Sequence, residues 1–360
     1  MKGERVGGKL SHVNVAVAGL GMGATHLNAY ARHPACTIAA ICDVNTKRLA
    51  ARAAEYKLDQ SRCFTSTDAL FRAARDLRLD AVSVTLPNTL HAPVTIHALR
   101  SGLHVLCEKP MAMNAAEAKR MIAEARKARR TLGINFSSRF NPQSRTLKDV
   151  AASGKLGDIY YAHTRWRRER GIPGLGGWFG TKKLSGGGPV IDLGVYRADL
   201  AMWLMGGPQP VAVSAVTSNA IGSRLAREQG KTFDVEDFGA AFIRFDNGAA
   251  LTLEASWVGY IGKQEDMVTQ ILGTRGGIVQ RNLNEGYEFE ARVYSEEGGS
   301  LTDTLIRHRF ASTWSSYHDF INALLEGRPT LAPAEDGLKV QQVLDAIYRS
   351  AELGKEVQIK

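Results

Sequence analysis

The sequence predicts an α/β protein in two domains, residues 1–136 and 137–360, and three observations carry that expectation. The chain has 360 residues, more than one ordinary domain holds and enough for two. Over its first third, short β-branched apolar runs alternate with helical patterns, the rhythm of a parallel, doubly wound sheet. After about residue 140 that rhythm changes: longer strand-like runs follow one another, as in a mostly antiparallel sheet carrying one or two helices.

In the first domain the expected strands are Val13–Ala18, Thr37–Cys42, Ala81–Thr85, Leu103–Cys107 and Leu132–Phe136. Helical spacing between them is clearest over Ala92–Ser101 and Ala115–Arg129. A helix follows over Gln143–Ala152, with Gly154 and Gly157 as punctuation. The second domain then offers strands at Ile159–Arg168, Pro210–Val216, Phe238–Phe245, Ala249–Ser256 and Met267–Leu272. Asp246-Asn247-Gly248 between two of them is a strong hairpin signal. Helical patterns return at Ser312–Glu326 and Glu335–Leu353, and no internal repeat or low-complexity segment interrupts the chain.

Composition narrows the class. With 44% hydrophobic residues and apolar runs only of strand length, the chain reads as soluble and globular, with no membrane-spanning helix. Its start, MKGERVGGKL, lacks the apolar stretch of a secretory signal, so a cytoplasmic location is expected. Cys36, Cys42, Cys63 and Cys107 are scattered without zinc-binding spacing and read as reduced thiols; no metal is expected. The net charge is +10, with clusters at Lys127–Arg130 and Arg165–Arg170. No nucleic-acid-binding module accompanies it, so an anionic small molecule is the better candidate for any charge-led partner.

Val13–Ala18 runs into Gly19-Leu20-Gly21-Met22-Gly23-Ala24 and then a helical stretch, the strand–turn–helix context of a G-x-G-x-x-A dinucleotide site. Gly19 makes the tight turn, and Gly21 lets a pyrophosphate approach the helix N-terminus, where amides and dipole favour anions. Asp43, at the end of the next strand, can accept hydrogen bonds from both hydroxyls of an adenosine ribose and would repel a 2′-phosphate. NAD is therefore expected over NADP, a preference that Lys47 and Arg48 temper. Thr85, Leu86, Pro87, Asn88 and His91 sit at the carboxyl end of a further strand, where open sheets bind ligands; Asn88 fits either a helix cap or a cofactor contact.

Glu108-Lys109-Pro110 ends the fifth strand on that same edge. A lysine there can hydrogen-bond a hydroxyl that loses a hydride, and pass on its proton if its pKa falls from about 10.4 toward neutrality. A cis proline after it would aim the side chain. Farther on, Gly186-Gly187-Gly188-Pro189 leads into a helix whose Asp192, Tyr196, Asp199 and Trp203 share one face by spacing. Within Arg165–Arg170, Trp166, Arg168 and Arg170 lie on one face of a strand and Arg165 and Arg167 on the other.

These stretches resemble the Gfo/Idh/MocA family of sugar and polyol dehydrogenases. The resemblance rests on "VAGLGMGATH", "TLPNTLHAPVTIHALRSGLHVLCEKPMA", "RFNP", "SGKLGDI", "GGGPVIDLGVYRADLAMWLMG" and "EDGLKVQQVLDAIYRSAELGKEV", collinear over nearly the whole chain. It implies an N-terminal Rossmann domain and a C-terminal α/β domain with a large open sheet. It implies a cofactor set of Gly19, Leu20, Gly21, Met22, Gly23, Asp43, Arg48, Thr85, Leu86, Pro87, Asn88, His91, Glu108 and Lys109. It gives Lys109 the catalytic role and Asp192 that of orienting the lysine or binding substrate. The family usually has histidine where this chain has Tyr196, a poorer base at neutral pH with a pKa near 10 unless a cation lowers it. The family's substrate contacts favour Trp166 and Arg168, whose guanidinium would suit a carboxylated or phosphorylated sugar; an arginine-rich interface is the alternative. Trp178 in a Gly-rich loop is a candidate for stacking on a sugar, and Arg139 for support near the domain junction.

The expected activity is hydride transfer between NAD and a secondary hydroxyl of a sugar, uronate or polyol. A redox-neutral glycoside-cleaving enzyme on the same scaffold and a non-catalytic dinucleotide sensor are the alternatives. An open apolar sheet face further predicts a homodimer or homotetramer.

Overall fold

The computed structural model describes residues 10–307 and 315–359. These fall into two compact units, residues 10–135 with 315–338 and residues 136–307 with 339–359. The α/β expectation is met in both units: one contains a six-stranded parallel sheet, the other a nine-stranded, mostly antiparallel one.

In the first unit, β1 (Val13–Ala18), β2 (Cys36–Cys42), β3 (Cys63–Phe64), β4 (Ala81–Val84), β5 (His104–Cys107) and β6 (Leu132–Ile134) lie in the order β3-β2-β1-β4-β5-β6. Every pairing is parallel, so all carboxyl ends face one edge. The order reverses between β1 and β4, which makes that edge the place where such sheets bind ligands. The linking helices are α1 (Gly23–Ala31), α2 (Thr46–Glu55), α3 (Thr67–Arg72), α4 (Asn88–Arg100) and α5 (Ala115–Ala128). Asn45 caps α2 and Asn114 caps α5, each accepting an amide of the first turn. Helix α4 begins at Asn88, four residues before the expected Ala92, because Pro93 falls early enough in the helix to cost little more than one backbone hydrogen bond. Asn88 is its first helical residue, and Pro87 takes the cap position with no side-chain bond.

The division departs from the expected 1–136 and 137–360. Phe320, Ile321 and Leu324 of the helix Ser316–Glu326 pack into the core formed by Val13, Val15, Val17, Leu27 and Tyr30. The chain thus returns to cover the first sheet, a long-range contact that local spacing does not encode. The expected start of that helix, Ser312, lies outside the described residues.

The second unit opens with α6 (Pro142–Ala152), capped by Asn141 with Pro142 in its first turn. Its strands are β7 (Ile159–Arg168), β8 (Pro210–Ser218), β9 (Phe238–Phe245), β10 (Ala250–Ser256), β11 (Glu265–Gly273), β12 (Gly276–Leu283), β13 (Glu288–Glu297), β14 (Ser300–Ile306) and β15 (Val357–Gln358). They run in the order β14-β13-β12-β11-β7-β10-β9-β8-β15, with β7 and β10 parallel. The hairpin expected at Asp246–Gly248 joins β9 to β10, with Gly248 at φ +82 and its amide bonded to Phe245 O.

Strands β12 to β14 lie outside the expected set, and β13 among them is rich in charge. Their partners explain the charge: Arg281 pairs with Glu290 at 2.7 Å and Arg292 with Asp303 at 2.6 Å across neighbouring strands. The unit also contains the helices α7 (Lys182–Ser185), α8 (Val195–Leu204) and α9 (Ala220–Glu228) and most of the helix Ala334–Leu353. The segment leading into α8 packs on Leu253 and Ala255 of β10, so one sheet face is covered there.

Candidate active site

The turn after β1 is built by two glycines that the protein needs for packing and one that it does not. Gly19 has φ +95, and a Cβ there would lie 2.4 Å from Thr85 O. A Cβ on Gly23 would lie 2.7 Å from Val17 Cγ1. Above Gly21 there is open space, with Arg48 Nη1 nearest at 4.0 Å. That cradle, at the N-terminus of α1, fits a pyrophosphate.

Asp43 ends β2 and is almost wholly buried. Its carboxylate accepts the amides of Leu20 at 2.7 Å and Asn45 at 2.8 Å, and Arg48 binds it through Nε at 2.7 Å and Nη2 at 3.0 Å. Burial opposes its charge, but Arg48 and these amides prevail and hold the carboxyl below its ordinary value. The acid thus braces the glycine turn itself, a task the sequence did not suggest, and Arg48 stands beside any adenosine that reaches it. Val44, next in sequence and 84% exposed, was missed, as was the exposed Leu90; Met22, already in the expected set, is exposed too. Such apolar groups on a ligand-binding edge suit the faces of nucleotide rings, and the signal was an apolar residue directly after a strand-ending acid.

Two residues expected to touch the cofactor tie parts of the chain together. His91 is fully buried; its Nδ1 lies 2.7 Å from Pro110 O and its Nε2 2.8 Å from Leu86 O. It joins the lysine turn to the loop after β4, and burial lowers its pKa. Glu108 is buried as well, and its carboxylate meets His26 Nε2 at 2.9 Å and accepts Asn135 Nδ2 at 2.5 Å and the Lys109 amide at 3.1 Å. Burial works against that charge, yet His26, Asn135 and Lys109 keep the carboxyl below its ordinary value. Lys109 itself is half-buried, and the Lys109–Pro110 peptide is cis.

In the second unit, Gly187 and Gly188 leave no room for side chains: a Cβ would lie 2.0 Å from Tyr348 Oη or 1.9 Å from Glu236 O. Buried Glu236 accepts the amides of Gly188 at 2.9 Å and Val190 at 3.1 Å and the Tyr348 hydroxyl at 2.8 Å. It serves as a remote cap, although burial raises its pKa despite those donors. The chain then makes one π-helical turn, Val190–Gly194, before α8. Turns of this kind recur at functional sites.

Asp192, Tyr196, Asp199 and Trp203, expected on one face, meet different partners. Asp192 accepts the indole N–H of buried Trp257 at 3.0 Å, and the Tyr196 ring lies 5.9 Å from that of Trp166. Asp199 belongs elsewhere. It is fully buried and holds Arg139 through Nε at 2.9 Å and Nη2 at 2.5 Å, with the guanidinium 5.5 Å from both the Phe136 and Trp203 rings. Arg139, expected at the substrate, is 2% exposed and is a scaffold residue.

The faces of β7 are as expected, but their charges are spent. Trp166 is 8% exposed, gives its N–H to Glu265 at 2.5 Å, and lies between the guanidiniums of Arg168 and Arg197. Trp166, expected as a substrate contact, is thus largely enclosed by its own chain. Arg168 donates to Glu265 at 2.8 Å and to Tyr287 at 3.1 Å. On the other face, Arg165 and Arg167 share Asp266 at 2.7 Å each, and Arg167 also reaches Glu254 at 3.2 Å. Arg168, the group expected to recognise an anion, already has its carboxylate. Trp178 remains partly exposed, stacked 3.9 Å from Phe179.

Among the described residues no cluster of three or more His, Cys, Asp or Glu could hold a metal, and no helix is long and apolar enough to cross a membrane. All four cysteines are free, and burial pushes Cys36, Cys42 and Cys107 up to about 12.

Comparison with known proteins agrees with this geometry. Residues 13–136 match the oxidoreductase family's NAD-binding Rossmann fold, and residues 148–359 its C-terminal α/β domain. The D-glucoside 3-dehydrogenase of Escherichia coli K12 is 33% identical over 97% of this chain and 98% of its own. The 1,5-anhydro-D-fructose reductase of Ensifer adhaerens is 27% identical over 90% and 91%. The crystal structure of the Caulobacter crescentus aldose-aldose oxidoreductase complexed with glycerol superposes with a TM-score of 0.81 at 27% identity, covering 96% of this chain and 99% of that one.

Proposed function

The chain belongs to the Gfo/Idh/MocA oxidoreductase family and is an oxidoreductase with a nicotinamide-binding domain, and on that premise we propose that it exchanges a hydride between NAD and a secondary hydroxyl of a neutral sugar or polyol. One observation carries the reading. The carboxyl edge of a single parallel sheet holds both an amide cradle open above Gly21 and Lys109, whose backbone is tied to buried Glu108. NAD over NADP is supported by Asp43, whose negative charge disfavours a 2′-phosphate, and by the commitment of Arg48 to that acid. A neutral substrate is supported by the pairing of Arg165, Arg167 and Arg168 with acids of their own chain.

NAD, when bound, supplies the hydride acceptor. The chain's own task is the hydroxyl proton, which leaves as the carbon gives up its hydride. Lys109, as the free amine, binds that hydroxyl and takes the proton, and Asp192 and Tyr196 are the second unit's candidates for binding substrate. Purified protein mixed with excess NAD and a panel of sugars, polyols and glycosides should accumulate NADH. Lys109→Ala should cut turnover by about 10²–10⁴-fold while leaving NAD affinity within a few-fold. Unchanged turnover in that variant would overturn the assignment, and glycoside cleavage without NADH accumulation would point to the redox-neutral relative of this chemistry.

We also propose a homodimer or homotetramer. The sheet face opposite α8 carries Phe242 and the exposed Val216, apolar groups that a second copy would cover. Light scattering on the purified chain decides it.

A further inference from the structure

The hairpin between β12 and β13 is held with unusual care for an exposed loop. Asn284 and Glu285 both have positive φ, 49 and 55, which non-glycine residues adopt at a cost, and the Gly286 amide closes the turn on Leu283 O at 2.9 Å. Glu285 accepts the Gln264 amide at 2.8 Å, and Asn282 donates to Glu265 O at 3.0 Å while accepting the Met267 amide at 2.9 Å. The tip is therefore lashed to the start of β11.

What this holds out is Tyr287, 62% exposed, with its hydroxyl between Arg168 Nη2 at 3.1 Å and Glu265 Oε1 at 3.0 Å. The same Glu265 takes the indole N–H of Trp166. Three rings thus stand in series, Tyr196 to Trp166 at 5.9 Å and Trp166 to Tyr287 at 6.1 Å. The middle ring is buried and the outer one is in the open.

An aromatic ring pinned by its hydroxyl presents a fixed apolar face. Since the hydroxyl and Arg168 are occupied, the face itself is the recognition element, and it suits the C–H side of a sugar or an aryl ring rather than an anion. We propose that Tyr287 is a substrate-binding platform for the second ring of a neutral glycoside. The ring that reacts lies nearer Tyr196, beyond Trp166. This rests on the sugar-oxidising reading above and narrows its substrate to compounds with a ring on either side of the glycosidic bond.

The test compares methyl glucoside, p-nitrophenyl glucoside and cellobiose, by NADH formation and by calorimetric binding in the presence of NAD. With the unaltered protein the two-ring compounds should bind about tenfold more tightly than the methyl glucoside. Tyr287→Ala should erase that difference through KM, raising the KM of the two-ring compounds about tenfold more than that of methyl glucoside. Tyr287→Phe should keep most of it. A gain with p-nitrophenyl glucoside alone assigns the platform to aryl aglycones, and a gain with cellobiose alone assigns it to a second sugar. Equal binding of all three by the unaltered protein, or a two-ring preference that survives in Tyr287→Ala, overturns the proposal. Binding without turnover would leave the platform standing and overturn the oxidation reading.

Discussion

Arg139 and Asp199 allow a scaffold to be told from a substrate contact. Both are buried, at 2% and 0% side-chain exposure, and the carboxylate receives two guanidinium nitrogens within 3 Å. Removing one partner leaves an uncompensated charge in the interior, which costs about 3–5 kcal/mol, whereas replacing both by apolar groups of similar size is close to neutral. Asp199→Ala should therefore lower the melting temperature by roughly 6–20 °C, given about 2–4 °C per kcal/mol in a unit of this size. Arg139→Met with Asp199→Leu should restore most of that loss, because Phe136 and Trp203 already offer apolar neighbours. Calorimetric melting of the single and double variants reads the stability, and KM for the best sugar on the double variant reads the function. A scaffold pair predicts recovered stability with KM within about threefold. A double variant as unstable as the single, or a KM that rises more than tenfold with the fold intact, would refute the reasoning.

The glycine turn gives a paired prediction. Gly19→Ala should destabilise the first unit, by its 2.4 Å clash and positive φ, whereas Gly21→Ala should leave melting within about 0.5 kcal/mol and weaken NAD tenfold or more by calorimetric titration. Glu108 gives a pH dependence. Its folded pKa is depressed, so its stabilisation is present above the ordinary carboxylate value of 4.5 and is lost as pH falls through the lower folded value. Urea midpoints should drop below pH 4.5 in the unaltered protein and drop less in Glu108→Gln; parallel curves would reject that role.

What could be read from the sequence was local. The turn at Gly19–Gly23, the strand-ending positions of Asp43 and Lys109, and the facial alternation of β7 follow from neighbours a few residues apart. What could not be read were partnerships across the chain. Arg139 and Asp199 are 60 residues apart and His26 and Glu108 are 82 apart, so nothing in their spacing marks them as ties. The ties of His91 were hidden for the same reason, since the two carbonyls it faces lie on different loops. The face drawn from Asp192 to Trp203 did not say what each residue would meet, since Trp257, Trp166 and Arg139 come from other parts of the chain. Strand β13 was missed because its charges are answered across neighbouring strands, by Arg281 and Asp303.

Those partnerships share a pattern that bears on the substrate. Glu108 fixes the lysine turn, Glu236 caps the turn that carries Asp192, Asp199 holds Arg139, and Glu265 holds Trp166, Arg168 and Tyr287. Each acid collects at least two donors, and Asp266 likewise takes Arg165 and Arg167, so Arg139 and the arginines of β7 are neutralised where they stand. A site that recruited an anion would lose affinity steeply as salt screens it, since the Debye length shrinks from about 10 Å at 0.1 M to about 3 Å at 1 M. With the arginines already paired, KM for a neutral glycoside should change less than twofold over that range. A KM that climbed with salt would return the arginine strand to the role its sequence first suggested, recognition of an acidic sugar.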